Sequence, residues 1–241
     1  MKKLLLLICA GIFIGNTANS QKTFTDPNAE IRGVAGFHGI EVGTGIVLNL
    51  TEGVSEEVAV SASSVEFRDK IVTKVENGIL KIIYENKAGA VNTKKQSKDL
   101  KAYVSYKTLD MLMATTGAEI IINGILQSAS LNLIAHTGAV VKGQVNIKSL
   151  KIKQGTGSKV TWKGKADNLE VEGDTGSKFE GEELQTTNCS VKVSTGAQVI
   201  VSVENELKVK ASTGGLVKYK GKAPVREIKT NTGGSVKKIK D

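Results

Sequence analysis

The chain has 241 residues, a formal net charge of +9, 40% hydrophobic residues, 26 Gly, 2 Pro and 2 Cys. That hydrophobic content excludes broad disorder, and two cysteines exclude a disulfide scaffold. Many glycines, little proline and 4% aromatics are the composition of short strands joined by tight turns.

Residues 1–20 read as a secretory signal peptide. Lys2 and Lys3 precede an apolar run, Leu4–Ile14, that is too short to span a bilayer. Ala18-Asn19-Ser20 then supplies the small residues of a cleavage site before Gln21. The expected mature chain, residues 21–241, is a single domain in an extracytoplasmic location: periplasmic, cell-surface or secreted. Residues 31–108 form its divergent N-terminal half and 109–241 its repeat region.

In the N-terminal half, Phe37–Val42, Ile46–Leu50 and Val58–Ala62 alternate apolar and polar residues as half-buried strands do. Gly43-Thr44-Gly45 separates the first two. Ile71–Val75 and Ile79–Tyr84 flank Asn77-Gly78, the signature of a type I′ hairpin. Residues 86–101 are polar and Lys-rich, an exposed loop, and Tyr103–Tyr106 returns to strand.

From residue 109 a Thr-Gly pair recurs seven times, at Thr116-Gly117, Thr137-Gly138, Thr156-Gly157, Thr175-Gly176, Thr195-Gly196, Thr213-Gly214 and Thr232-Gly233. The spacings are 21, 19, 19, 20, 18 and 19 residues. Four residues before each Thr stands an aliphatic residue, from Leu112 to Ile228; four after stands an apolar one, from Ile120 to Val236. The residue two after each Thr is always Ala, Ser or Gly. Six before it the row is apolar, Cys189 included, except at Asp110 and Arg226, which mark expected capping coils. A 19-residue unit with this alternation predicts one coil of a β-solenoid, whose equivalent residues stack about 4.8 Å apart in ladders. Each Thr lies in phase with the inward residues on both sides. Unbroken alternation therefore predicts a buried ladder of seven Thr hydroxyls, preferred over a turn that shifts phase and exposes Thr, with each Gly at the coil corner, where a side chain would not fit or φ is positive.

Gly36-Phe37-x-Gly39-Ile40-x-Val42, Asn77-Gly78-x-Leu80-x-Ile82 and the serial Thr-Gly-small motifs resemble the DUF2807 family, the putative autotransporter adhesin head GIN domain. The resemblance covers about residues 31–235. It implies an all-β, right-handed parallel β-helix-like solenoid, an extracytoplasmic location and no catalytic residues to carry over. An autotransporter also needs a C-terminal membrane barrel; the sequence ends at Asp241 without one, so self-export is not expected.

No motif supplies catalysis, a cofactor or a metal site. His38 and His136 stand in no metal-ligand spacing. His136 falls in the row just before a repeat Thr, and Cys189 in an inward apolar row, as a buried thiol. Gly155-Thr156-Gly157-Ser158-Lys159 lacks the spacing of a phosphate-binding loop. Asp174, Glu180, Glu182 and Glu183 form an acidic cluster beside Lys178, read as a solvated face; as a carboxylate pair it would serve the alternative, a polysaccharide-active enzyme on a β-helix scaffold.

Lysine greatly outnumbers arginine, which argues against nucleic-acid reading and fits an anionic glycan or an envelope or matrix protein as partner. Exposed end coils leave a homo-oligomer open. Ice binding through an outward Thr array is opposed by the inward phase of the Thr row. The expected function is a non-enzymatic, adhesin-like binding or structural module of the cell envelope.

Overall fold

The computed structural model describes residues 26–85 and 97–240. The expected signal peptide and most of the Lys-rich loop lie outside the described residues. The N-terminal half contributes β1 (Glu30–Arg32), β2 (Gly39–Val42), β3 (Val47–Glu52), β4 (Glu57–Ser61), one turn of helix α1 (Val65–Arg68), β5 (Ile71–Glu76), β6 (Ile79–Tyr84) and β7 (Lys101–Tyr106). The repeat region contributes β8 (Met111–Ala114), β9 (Glu119–Ala135), β10 (Val140–Gln154), β11 (Lys159–Gly173), β12 (Lys178–Val193) and β13 (Gln198–Ala211). The last coils are β14 (Leu216–Lys220), β15 (Val225–Thr230) and β16 (Ser235–Lys238).

Strands β9 to β13 stack in parallel and in register, so the chain is an all-β solenoid of about seven turns with coils of about 19 residues. The register follows the repeat: Leu131, Leu150, Leu169, Cys189 and Leu207 stand side by side, each at most 4% exposed. Leu112, Leu133, Ile152, Val171, Val191 and Val209 form a second inward row, and Ile120, Val141, Val160, Phe179, Val199 and Val217 a third. Burying a Val, Leu or Phe of this kind contributes about 1.5–3 kcal/mol. No single coil encloses these side chains, so the stack is the cooperative unit.

The Thr row departs from expectation. All seven repeat Thr are exposed, so there is no buried hydroxyl ladder. Their φ values lie between 47° and 54°, and each following Gly is also left-handed, between 70° and 78°. Two left-handed residues in succession make a type I′ turn. It is closed in every coil by a bond from the residue after the Gly to the residue before the Thr, such as Ala197 N–H to Ser194 O at 2.9 Å. Alternation holds on both flanks, but the two central residues of the turn point away from the core. The glycines are the coil corners, and a small residue is needed two positions after Thr because that side chain is the one packed inside the corner: Ala118, Ala139, Ser158, Ser177 and Ala197 are at most 2% exposed.

An eighth corner stacks on the seven. Thr44 and Gly45 have φ of 58° and 71°, and Gly45 N–H donates to Thr116 O at 3.0 Å. β2 and β3 therefore form a coil that pairs in parallel with β8 and β9, although 72 residues separate the two threonines. Asp110 is thus not in a capping coil: the β2–β3 coil lies beyond it, and its N–H bonds His38 O. Above the β2–β3 coil the sheet turns mixed. β6 and β7 continue the parallel stack, while β5, β4 and β1 pair antiparallel. Phe67 of α1 is buried at this end, behind the Ser64 N-cap. The opposite end differs: Ile228, in the inward row, is 50% exposed.

Candidate binding surface

The outer faces divide into two electrostatic regimes. On the central coils, outward lysines pair with glutamates of the same or a neighbouring strand. Lys151 pairs with Glu170 at 2.9 Å, Lys153 with Glu172 at 3.7 Å, and Glu180 with both Lys159 and Lys178, at 3.0 and 2.6 Å. Asn168, Asn188 and Asn205 add a side-chain chain of hydrogen bonds across three coils, at 3.0 and 2.9 Å.

The last coils are different. Residues 207–241 hold ten Lys and Arg against two acids, Glu227 and Asp241, a net of +8; the preceding 206 residues hold 23 bases and 22 acids. The chain's positive charge is therefore concentrated at one end of the solenoid. Within it, one outward row runs Lys153, Glu172, Lys192, Lys210, Lys229 across adjacent strands. Its final three members are exposed lysines in register. Lys229 meets Glu227 at 2.5 Å; among the described residues Lys192 and Lys210 make no ion pair. Glu227 is held below the usual carboxylate range by its bond to Lys229 and by the charges of Lys210 and Lys208.

The same three coils share a local sequence: Lys192-Val193-Ser194-Thr195-Gly196, Lys210-Ala211-Ser212-Thr213-Gly214 and Lys229-Thr230-Asn231-Thr232-Gly233. Each presents a cation, a small hydroxyl or amide and the exposed corner Thr. Ser194 Oγ donates to Asp174 Oδ1 at 2.9 Å, where the basic face meets an acidic one. The sequence marks this row as charged, at Lys153, Glu172, Lys192, Lys210 and Lys229, but not as a lysine ladder at one end of the stack. The signal was available as the residue three before each Thr, which is Lys in all of the last three coils.

The acidic cluster divides between two places, with Asp174 at a corner and Glu180, Glu182 and Glu183 together on one cleft. Asp174 sits at the Thr-Gly corner, and its hydrogen bonds to Thr195, Ser194 and the Thr175 N–H hold its pKa down. Glu180 lines a cleft of about 460 Å³ with Glu182, Glu183, Lys142, Thr161 and Lys163. There the bond to Lys178, with Lys159 and the Thr161 hydroxyl, holds its pKa near 2. A carboxyl that stays ionised at neutral pH does not serve as a general acid.

His38 Nδ1 lies 2.7 Å from Asp110 Oδ1 in an exposed pair, and His136 is an exposed member of its corner row. Cys189 is buried, and desolvation pushes its thiol far above the ordinary range. Among the described residues no three His, Cys, Asp or Glu group together as a metal site requires, and no helix is long and apolar enough to cross a membrane. The Thr row is outward after all, but it is one residue wide. Beside it stand Thr115, His136, Gly155, Asp174, Ser194, Ser212 and Asn231, which do not repeat as an ice-matching array would.

The family model described as "Putative auto-transporter adhesin, head GIN domain" (DUF2807) matches residues 36–223, and the chain belongs to this family. No curated protein matches it. Among solved structures, the fold is similar to that of a putative adhesin from Bacteroides fragilis, with 15% identity, a TM-score of 0.77, and coverage of 88% of this chain and 96% of that one. A putative lipid binding protein from Parabacteroides distasonis is 16% identical with a TM-score of 0.65, covering 89% and 98%. A putative adhesin from Parabacteroides merdae is 14% identical, also at 0.65, covering 88% and 95%.

Proposed function

We propose that the chain is a non-enzymatic, adhesin-like binding module of the cell envelope, acting through the outer face of its solenoid. The observation that carries this reading is the charge segregation: a rigid stack whose central faces are internally neutralised ends in a basic surface rich in hydroxyl groups. Family membership supports the same reading. The signal-like pattern of residues 1–20 supports an extracytoplasmic location, with residues 21–241 acting as one domain.

The test is a panel of immobilised glycans and matrix proteins probed with residues 21–241 at low and high salt. Retention on one ligand class that survives high salt supports a specific module. Retention that disappears with salt everywhere reduces the surface to diffuse lysine attraction and removes the adhesin-like reading.

A further inference from the structure

We propose that the Lys192, Lys210 and Lys229 ladder binds a linear anionic polysaccharide laid along the solenoid axis, with one charged sugar per coil. This rests on the binding-module reading and narrows it to a surface and a ligand class.

Like charges held opposite one another on neighbouring strands are destabilising. In this row the central coils avoid it by setting Lys153 against Glu172, and where Lys159 and Lys178 stand opposite each other Glu180 bridges both. The last three coils do not: the row runs Lys192, Lys210, Lys229 without an acid between them. Glu172, opposite Lys192, already pairs with Lys153, and Glu227 already pairs with Lys229. A partner carrying repeated negative charge relieves what the chain leaves uncompensated.

Parallel strands set neighbouring lysines about 4.8 Å apart. A sugar in an extended, twofold 1,4-linked chain advances by a similar distance with its charged group turned to alternate sides, so the same-side carboxylates or sulfates of a three-sugar stretch face Lys192 and Lys229 while the chain passes over Lys210. A bilayer surface offers no such one-dimensional repeat.

Each lysine of the ladder has neutral polar neighbours. Ser194 and Thr195, Ser212 and Thr213, and Asn231 and Thr232 lie beside it on the same outward edge. Neutral hydrogen-bonding groups next to a cation suit a ligand whose charge is surrounded by hydroxyls. Glu172 and Asp174, the equivalents one coil earlier, are acidic and end the site on that side.

The experiment measures affinities of residues 21–241 for galacturonate oligomers of one to six sugars, for a sulfated oligosaccharide, for neutral cello-oligomers and for anionic phospholipid vesicles. Affinity is expected to rise up to about three sugars and then level, because three coils carry the ladder, and neutral oligomers are not expected to bind. The sulfated arm decides which anionic group is preferred. The K192Q/K210Q/K229Q variant is expected to lose about tenfold or more. The charge-matched K237Q/K238Q/K240Q variant is expected to lose less than about twofold. Glu172→Lys, which completes five lysines in register with Lys153, is expected to tighten binding of the six-sugar oligomer. All these side chains are surface groups, and circular dichroism checks that each variant is folded.

Equal losses in the two triple variants would overturn the proposal in favour of net charge. Lysine-ladder-dependent binding to vesicles alone would overturn it in favour of a membrane surface. Failure of every anionic oligomer, with a salt-resistant hit elsewhere on the panel, would sink the ladder while leaving the binding module; a silent panel would sink both.

Discussion

Gly196 donates its backbone N–H to the carbonyl oxygen of Thr213, 3.0 Å away and one coil on. The same bond joins Gly45 to Thr116 and recurs at every corner to Gly214 and Thr232, at 2.9–3.1 Å. The Thr-Gly repeat is thus a ladder of main-chain bonds along one edge of the solenoid. The threonine carbonyl does the joining, and the hydroxyl is left outside.

This arrangement carries a conformational cost that substitution can expose. A β-branched residue in the left-handed region is strained, whereas Asn tolerates it. Thr156→Asn is therefore expected to stabilise the fold by about 0.5 kcal/mol, read as a raised midpoint in urea unfolding with an unchanged slope.

Two glycines separate strain from collision. At Gly157, φ is +70° and a Cβ would stand in open space, so Gly157→Ala meets only the backbone penalty, about 1 kcal/mol. At Gly164, φ is +109° and a Cβ would fall 2.1 Å from the Val145 carbonyl oxygen. Gly164→Ala is expected to cost about 3 kcal/mol or more. Similar unfolding midpoints for the two variants would contradict this account.

Glu180 sets an acid dependence. Lys178, Lys159 and Thr161 lower its pKa from 4.5 to about 2. A depressed carboxylate pKa adds stability that is fully present above the unfolded value and is lost as pH falls towards the folded one. Glu180→Gln is expected to destabilise by about 1 kcal/mol at neutral pH, the partners being half-exposed and screened. That difference should vanish between about pH 4.5 and pH 2. A deficit that persists at pH 2 would mean the side chain acts through packing.

Cys189 is expected to resist thiol reagents in the native state. It is 4% exposed, in an inward row with Leu169 and Leu207, and burial disfavours its thiolate. Labelling followed against urea should track global unfolding. Rapid labelling in native buffer would show that the coil opens locally.

Much of this architecture was legible because the inward rows repeat every 18 to 21 residues, and the strands at 39–42, 71–76 and 79–84 follow their own alternation and turn signals. The Thr orientation was not legible from parity. Side-chain alternation assumes extended backbone, and Thr195 and Gly196 both leave it. The β2–β3 coil was missed because 72 residues separate Thr44 from Thr116, so its corner falls outside the sequence period. The lysine ladder was written in the sequence, but its importance depends on which strands are neighbours and which lysines have partners. Register alone decides that Lys192, Lys210 and Lys229 face the same solvent in line.

The most direct measurement is a lysine-acylation footprint of residues 21–241, read by mass spectrometry with and without a galacturonate hexamer. Protection of Lys192, Lys210 and Lys229, with Lys237, Lys238 and Lys240 labelled as fast as before, is the result expected of a binding face built along the coil repeat. Uniform protection of all the lysines, or protection confined to 237–240, would contradict it.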